Sequence, residues 1–552
     1  MHQLSNTTLP KNQKTSFYEP VYFSSTQSKL ESSFYENCAE EGNEEGDVLL
    51  KEICKQLSEK LSSNFSKDQK FLFLAGKGGN GADALKTAEL LLSKGYRAEI
   101  LTPETPLKAL AHRMYESLTE KFKMPQLLIH KTQQSIERFD DYDVIVDGVY
   151  GAGFKGSLDE NTSHLLKKIH ITRKASSTFI AIDIPSGIHA DSMFYSEPTT
   201  SPKAPKSLGP CPAHPLGSVD TVYAAGLYKP FHVSEYGHKI FKTLEILPFE
   251  SEILPTNKNS VEKSDLVKLN PEHLHLPPRE KTAHKFEMGH TLVLGGSSGM
   301  MGSVCLAAHA ALYSGSGLVS VLIPKNAGAE HFKFSPSIMV KTLSHSEKAL
   351  SVSSFDEISQ FISERKVTAI AAGMGAGAKP ETTELIAKLL EHINVPTVID
   401  ADGLRAVQLI RKKRSSISLN PDELILTPHP GEWKKHFALD LPGCPTDIQS
   451  ESSALRCTII YKNSCPLVTR PEASPRVLAN PQNSLAVAGS GDVLSGIAAS
   501  FLAQPSIENR KAAELSICLH NLAGKFSLET QNSYSCTSED LLEGIREILK
   551  NI

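Results

Sequence analysis

Apolar residues in this chain fall in short unbroken runs. These alternate with longer stretches whose apolar positions recur every three or four residues. The first pattern marks strands buried on both faces, and the second marks helices. In the first half KFLFLA (Lys70–Ala75), RAEILT (Arg97–Thr102), DVIVD (Asp143–Asp147) and TFIAID (Thr178–Asp183) read as strands. A helix is predicted from about Asp83 to Lys94, stopped by Gly95. The second half restarts the alternation with TLVLGG (Thr291–Gly296) and an apolar helix over Ser303–Ser314. LVSVLIP, VTAIAAG, PTVIDAD, ELILTP and CTIIYK supply further strands. Helices at about Asp492–Ala503, Glu508–Glu529 and Ser538–Asn551 close the chain, and Thr537 and Asp540 stand in capping-box spacing ahead of the last.

Strands alternating with helices predict α/β architecture with parallel sheets. A chain of 552 residues exceeds what one core serves. The Pro/Ser/Lys-rich stretch Glu197–Pro215 reads as a loop within the first half, and the proline-spotted segment from about Leu247 to Lys281 as the linker. The boundary is placed near Ser260, giving domains of residues 1–255 and 256–552.

Composition narrows the function class. A net charge of -4 with no long basic run gives nucleic-acid binding no electrostatic support. No apolar stretch reaches the ~18–20 residues that span a bilayer. The opening MHQLSNTTLPKNQKTSF lacks the apolar centre of a secretory signal. Nine cysteines show no CxxC pair and no zinc spacing. A cytoplasmic protein with reduced thiols and no membrane partner is expected.

Two glycine-rich regions carry candidate chemistry. Near the end, Ala488–Gly496 reads AGSGDVLSG, a turn that opens into an apolar helix with Asp492 at the junction. Amides at a helix N-terminus form an anion site, and a carboxylate there can meet a hydroxyl beside a nucleotide phosphate. The bland reading is a glycine cap with an aspartate favoured by the helix dipole. In the first half, Gly76–Gly81 satisfies GxGxxG between a strand and a helix, with Glu99 at a plausible distance for a ribose hydroxyl. No Lys-Ser or Lys-Thr follows, so it is not a Walker A loop. VDGVYGAG (Val146–Gly153) and AIDIPSG (Ala181–Gly187) each end a strand with a carboxylate. In a parallel sheet all three segments meet at the carboxyl edge. Asn80, Asp147 and Ser186 could there supply oxygen ligands to a hard cation, with Asp183 as acid or base.

The order of these first-half segments resembles the GxGNNGGDG, VDAxFGTG, DIPSG series of NAD(P)H-hydrate epimerases, over roughly Ser33 to Pro248. The resemblance implies a Rossmann-like three-layer domain. It places Gly79, Asn80, Gly81, Ala82 and Asp83 along the hydrated nucleotide, with Gly151, Ala152, Gly153, Phe154, Lys155, Gly156 and Ser157. Asn80, Asp147 and Ser186 would hold potassium, and Asp183 would contact substrate. The chain departs where the family has NNGGDG and it reads Gly79-Asn80-Gly81-Ala82-Asp83-Ala84. A positive φ at Ala82 or Ala84 would cost stability or closeness to phosphate.

The second half runs HKFEMGHTLVLGGSSGMMGS, GMGAG (Gly373–Gly377), IDADGL (Ile399–Leu404), LTPHPGE (Leu426–Glu432), then AGSGDVLSG. That order resembles the ribokinase-like ADP- or ATP-dependent NAD(P)H-hydrate dehydratases, from about Asp265 to the end. The resemblance implies a ribokinase-like α/β domain. By position Ser303 (replacing a usual alanine), Gly375, His429 and Asp492 match hydrate contacts and Gly491 a nucleotide contact. The KGxxT nucleotide segment corresponds to Lys462, Asn463, Ser464, Cys465 and Pro466, with only the lysine kept. The implied chemistry is repair of hydrated NADH and NADPH. The first domain would interconvert R and S hydrates with potassium. The second would dehydrate the S hydrate with ADP and magnesium, Asp492 acting as base, and a homo-oligomer is the expected assembly. Two other readings use the same residues: a ribokinase-type small-molecule kinase with an N-terminal nucleotide-binding domain, and a nucleotide-binding module that no longer turns its ligand over. A dehydrogenase reading rests on GxGxxG alone.

Overall fold

The computed structural model describes residues 17–40, 48–103, 106–123, 128–130, 136, 138–194, 218–249, 264–413, 420–437, 439 and 442–552. The predicted loop at Glu197–Pro215 lies outside them, as do residues 250–263 of the predicted linker. The strands are, in chain order, β1 (Tyr18–Val21), β2 (Lys70–Ala75), β3 (Arg97–Leu101), β4 (Leu128–His130), β5 (Val144–Gly148) and β6 (Thr178–Ile182). Then come β7 (Val219–Ala225), β8 (Phe241–Leu247), β9 (Leu266–Leu269), β10 (His290–Leu294), β11 (Leu318–Pro324) and β12 (Ile338–Leu343). The last are β13 (Ala369–Ala372), β14 (Thr397–Ile399), β15 (Leu424–Leu426), β16 (Thr458–Tyr461), β17 (Leu467–Arg470) and β18 (Ala473–Val477). The described chain divides into two compact units. The N-terminal one is Pro20–Leu266 with Pro442–Pro445; the C-terminal one is Val267–Leu441 and Thr446–Ile552 with residues 17–19.

The N-terminal unit is built on a sheet of order β4-β3-β2-β5-β6-β7-β8, parallel throughout. Its first three helices are α1 (Ser24–Glu40), α2 (Val48–Asn64) and α3 (Gly79–Ser93). Successive residues of β2 point to opposite faces, as a strand's period of two requires. Phe71 and Phe73 pack with Leu57 of α2 and Leu85 of α3. Leu72 and Leu74 pack on the other face with Leu166 and Ile169, of the helix Glu160–Thr172. Helices on both faces make this a three-layer Rossmann-like unit. The chain leaves β2 in one direction and β5 in the other, so a crevice opens between their carboxyl ends.

The C-terminal unit carries an eleven-stranded sheet of order β1-β9-β18-β17-β16-β15-β14-β13-β10-β11-β12. It is parallel from β16 through β12, and β17 runs antiparallel to both its neighbours. Val293, Ala371, Val398 and Ile425 of the sheet pack on Val304, Val493, Ile497 and Leu519. These come from the helices Met301–Tyr313, Ser490–Ala503 and Asn509–Thr530. The same switch in strand order occurs between β10 and β13. The fold is α/β in both units, as the sequence predicts.

Three elements differ from expectation. The helix predicted from Asp83 starts at Gly79, so the last glycines of GxGxxG form its first turn rather than a loop. Strand β9 stands inside the predicted linker. Near the start of the chain, β1 joins the C-terminal sheet: the Tyr18 hydroxyl donates to Glu514 at 2.7 Å, and Lys268 pairs with Glu19 at 2.6 Å. Its sequence, YEPV, hides it, because proline is confined to edge strands and weakens the strand signal.

Candidate active sites

The C-terminal site grows from four loops at the carboxyl edge of the sheet. After β13, Gly375 takes φ +58°, and a Cβ there would lie 2.4 Å from the Met300 carbonyl oxygen; only glycine lets this loop approach the helix Met301–Tyr313. After β14, Asp400 is 2 % exposed. Its Oδ1 accepts from Lys462 Nζ at 2.6 Å and from the Ala401 amide at 2.8 Å, and its Oδ2 accepts from Ser495 Oγ at 2.7 Å. After β15, His429 caps the turn Pro430–Glu432: its Nδ1 accepts from the Gly431 amide at 3.0 Å, and its own amide donates to Glu432 Oε2 at 2.9 Å. With Nδ1 accepting, the neutral ring carries its proton on Nε2, which lies 3.5 Å from Glu432. Glu432 also lies 3.7 Å from Lys462.

The fourth loop ends at Gly489, whose φ of +87° caps the helix Ser490–Ala503. The first turn of that helix presents amides without intrahelical partners, and it places Asp492 over the loops. Burial pushes the Asp492 carboxyl up to about 7; the charge of Asp400 adds to the rise, and a hydrogen bond from Ser303 and the charge of Lys462 offset part of it. Ser303, Gly375, His429 and Asp492, the four residues matched to hydrate contacts, line one cavity of about 530 Å³. Glu432, of the LTPHPGE segment, lines it too, as do Asp402, Lys435 and His436, which no sequence pattern singles out for a role. Of the residues matched to nucleotide contacts, Lys462 and Gly491 come together: a Cβ on Gly491 would lie 3.3 Å from Lys462 Nζ. Asn463, Ser464, Cys465 and Pro466 follow on the hairpin between β16 and β17, with the Cys465 side chain buried.

The N-terminal site sits at the crevice between β2 and β5. A Cβ on Gly76 would fall 1.8 Å from the Val149 oxygen, and one on Gly81 1.8 Å from the Gly76 oxygen; these glycines let the two loops touch. Asn80 Nδ2 donates to the Tyr150 carbonyl at 2.8 Å and the Ile182 carbonyl at 3.2 Å. Asp147 is fully buried and accepts from the Ser186 amide at 2.8 Å, Ser186 Oγ at 2.5 Å and the Val149 amide at 3.1 Å. Burial raises its pKa, and among the described residues only neutral donors oppose that rise. Asn80, Asp147 and Ser186 are therefore brought together by direct contact or through Tyr150, whose amide donates to Ser186 Oγ at 2.9 Å.

Asp183 follows β6 with φ +62°, and its Oδ1 accepts from Lys229 Nζ at 2.5 Å. Asp83 lies within α3, where burial, followed by the charge of Asp183, pushes its carboxyl up to about 8. Ala82 and Ala84 are helical and buried, neither with positive φ, so the departure from the glycine-rich pattern stores no backbone strain. On the loop after β5, the Phe154 ring is buried against Tyr150 and His189, while Gly153, Lys155, Gly156 and Ser157 are exposed. Glu99 is no ribose ligand. It is closed off by Lys70 at 2.6 Å, Tyr142 at 2.6 Å and His130 at 2.9 Å.

Residues 46–209 match the family described as YjeF-related protein N-terminus, and residues 291–547 the family described as NAD(P)H-hydrate dehydratase. The chain belongs to the bifunctional NAD(P)H-hydrate repair family. Relatives in this family carry both halves in one chain. The bifunctional NAD(P)H-hydrate repair enzyme Nnr of Moorella thermoacetica is 27% identical over 524 residues, covering 92% of each chain. The protein of the same name from Archaeoglobus fulgidus is 27% identical over 506 residues, covering 91% of this chain and 94% of its own. Among solved structures, a ribokinase-like superfamily protein of Enterococcus faecalis superposes with a TM-score of 0.45 at 20% identity, covering 52% of this chain and 96% of its own. Among the described residues no cluster of His, Cys, Asp and Glu is fit to hold a transition metal, and no helix is long and apolar enough to cross a membrane. Cys54, Cys305, Cys457, Cys518 and Cys536 carry free thiols.

Proposed function

We propose that this chain repairs hydrated NADH and NADPH in two steps: epimerisation of R and S hydrates in the N-terminal unit and ADP-dependent dehydration of the S hydrate in the C-terminal unit. The observation that carries the reading is Asp492. It stands at a helix N-terminus, faces the cavity that Ser303, Gly375 and His429 line, and titrates near neutrality. A base poised near 7 takes the proton of the hydrate's hydroxyl as that oxygen attacks the terminal phosphoryl of ADP, supplied with its magnesium ion. AMP departs, and the amides of the first helical turn, with Lys462, offset the charge that develops. Electron release from the ring nitrogen then expels phosphate, and loss of a proton from the adjacent ring carbon restores the reduced coenzyme. Glu432 and the capping turn hold His429 at the wall of the cavity, where its ring can donate to the substrate.

In the N-terminal unit, potassium fits the oxygen donors present. Asp147 is a buried carboxylate balanced only by neutral donors among the described residues, and Asn80, Ser186 and the Tyr150 carbonyl surround it with hard oxygen atoms. A bound cation would supply the missing positive charge and firm up the loops that receive the hydrate. Asp183 and Asp83 then face the reacting carbon. Alanine at 82 and 84 leaves this loop unstrained, which favours a working site over a mere binding module. The kinase reading differs in keeping phosphate on the acceptor.

The test follows the near-ultraviolet absorbance of the reduced nicotinamide ring in a mixture of R and S hydrates after adding protein, ADP and magnesium. The full chain should convert the whole mixture and release phosphate. Consumption of ADP with no return of absorbance, and phosphate retained on an organic product, would turn the assignment toward the kinase.

A further inference from the structure

Lys229 belongs to no motif of the chain, yet its side chain is fully buried inside the N-terminal site. Its ammonium donates to Asp183 Oδ1 at 2.5 Å and to the Ala225 carbonyl at 2.9 Å. Two further contacts fix Asp183 in its left-handed turn: its amide donates to the Tyr223 carbonyl at 2.8 Å, and His232 Nε2 donates to its carbonyl at 2.7 Å. The same imidazole accepts the Lys229 amide on Nδ1 at 3.1 Å, so it is neutral with its proton on Nε2. Burial, with the Lys229 charge second, lowers His232 to about 4 and keeps it in that form. An ammonium with no exposed surface cannot touch a ligand. Any effect of Lys229 on the chemistry therefore passes through Asp183.

We propose that Lys229 is a positioning residue of the epimerase site: it pins Asp183 and sets that carboxylate apart from Asp83, so that Asp183 takes a proton from the hydrate's hydroxyl and Asp83 gives one to the ring nitrogen. This rests on the epimerase reading above. The carbon to be inverted bears both the hydroxyl and the ring nitrogen. As the O–H proton passes to Asp183, a C=O bond forms and the C–N bond breaks. Its electron pair goes to nitrogen, which takes the proton of Asp83, leaving an open aldehyde. Rotation about the adjacent carbon–carbon bond and reversal of both transfers closes the ring in the other configuration, with nothing oxidised or reduced. Asp183, ion-paired to Lys229, and Asp83, pushed up by burial, are thereby fitted to divide the base and acid roles. The groups facing Asp83 are Asp183, Cys54 of α2, Glu31 of α1 and Lys229. Glu31 is itself hydrogen-bonded by Gln27 at 2.6 Å.

The experiment uses the full chain as wild type, Lys229→Met, Lys229→Gln and Lys229→Arg, and follows conversion of R to S hydrate from neutral to alkaline pH. The wild-type rate should fall with a midpoint near 8 as Asp83 loses its proton. Met and Gln should cut kcat by about 100-fold, the scale of one general acid–base contribution. KM should move far less, because Lys229 touches no substrate. Their alkaline midpoint should rise, since the cation that favours ionised Asp83 is gone. Arg, which keeps the charge, should recover most of kcat. Dehydratase turnover and the far-ultraviolet spectrum of each variant report folding, and if Met does not fold, Gln and Arg decide. A Gln variant at wild-type kcat overturns the proposal. So does one slowed with its midpoint unmoved, which would mark a purely structural lysine. A wild-type chain that leaves R hydrate untouched overturns the epimerase reading itself, a result distinct from either.

Discussion

In the C-terminal unit Lys462 holds Asp400 at 2.6 Å and leaves Asp492 raised to about 7; in the N-terminal unit Lys229 holds Asp183 at 2.5 Å and leaves Asp83 raised to about 8. Two unrelated loop systems thus give one lysine two aspartates, ion-paired to one and acting on the other through its charge. The difference lies in access. The Lys462 side chain is 18% exposed and also faces Glu432, whereas Lys229 is sealed at 0%. An ammonium at a cavity edge can meet an incoming phosphate; a sealed one can only organise its partner. The unpaired aspartates differ as well. Asp492 lies in the first turn of a helix, where amides lack intrahelical partners, which suits phosphoryl transfer. Asp83 is the fifth residue of α3 and lies beside Cys54, at 3.8 Å. The same electrostatic arrangement therefore suits a base that activates a hydroxyl for phosphoryl transfer in one unit and an acid for proton traffic in the other.

The comparison breaks most visibly at the unpaired carboxylate. Asp492→Asn keeps the shape of the cavity and removes the base, so dehydratase kcat should fall by roughly 10²–10⁴-fold, the range for a positioned general base. Epimerisation by the same chain should be untouched. Wild-type dehydratase should lose activity as pH falls through about 7, because only ionised Asp492 accepts the proton. Phosphate release, assayed across pH on wild type and variant, checks both. A variant that still repairs S hydrate at full rate would remove Asp492 from the mechanism.

A smaller effect is expected at the paired carboxylate. Asp400→Asn deletes the negative neighbour that helps raise Asp492 and frees Lys462 to offset it further. The acid limb of the dehydratase profile should therefore shift to lower pH. Its kcat should drop about tenfold as Lys462 loses its anchor, and the chain should be less stable by about 3 kcal/mol from the broken buried pair. Titration of kcat against pH, with thermal unfolding alongside, separates the two. An unmoved limb would mean that Asp400 does not tune Asp492.

Much of this was legible in the sequence, and the gaps have physical causes. Buried parallel strands write themselves as apolar runs, which is why Lys70–Ala75 and Leu318–Pro324 coincide with the observed strands. Glycine loops at strand ends flagged Asp147, Asp183, His429 and Asp492, because backbone crowding at such places admits little else. The capping box of Thr537 and Asp540 forms as expected, with the Thr537 amide donating to Asp540 at 2.7 Å. Lys229 stayed hidden. It reaches Asp183 across 46 residues, and a lone lysine after a strand carries no pattern. Asp400 stood inside a motif, IDADGL, but its partners Lys462 and Ser495 are 62 and 95 residues away and only the sheet unites them. Glu99 failed for the opposite reason. Spacing pointed to a ribose, and three local partners consumed the carboxylate.

The mildest test concerns the loop where this chain departs from its relatives' pattern. Ala82 and Ala84 lie in the first turns of α3 with their methyl groups buried, and the Ala84 Cβ packs where Gly148 has no side chain. Restoring glycine at both positions would relieve no strain, since neither residue has positive φ. It would instead add backbone freedom to the unfolded chain and to a helix turn, at about 1 kcal/mol per residue. Ala82→Gly with Ala84→Gly should therefore lower the melting temperature of the N-terminal unit while changing epimerase kcat by less than about twofold, too small a difference for a lost transition-state contact. Thermal unfolding and R-to-S conversion measured on the same preparation decide it. A tenfold gain in epimerisation would show that the glycine-rich form of the loop reaches the substrate in a way the alanine form cannot, and the likeness between the two sites would then hold for their charges but not for their backbones.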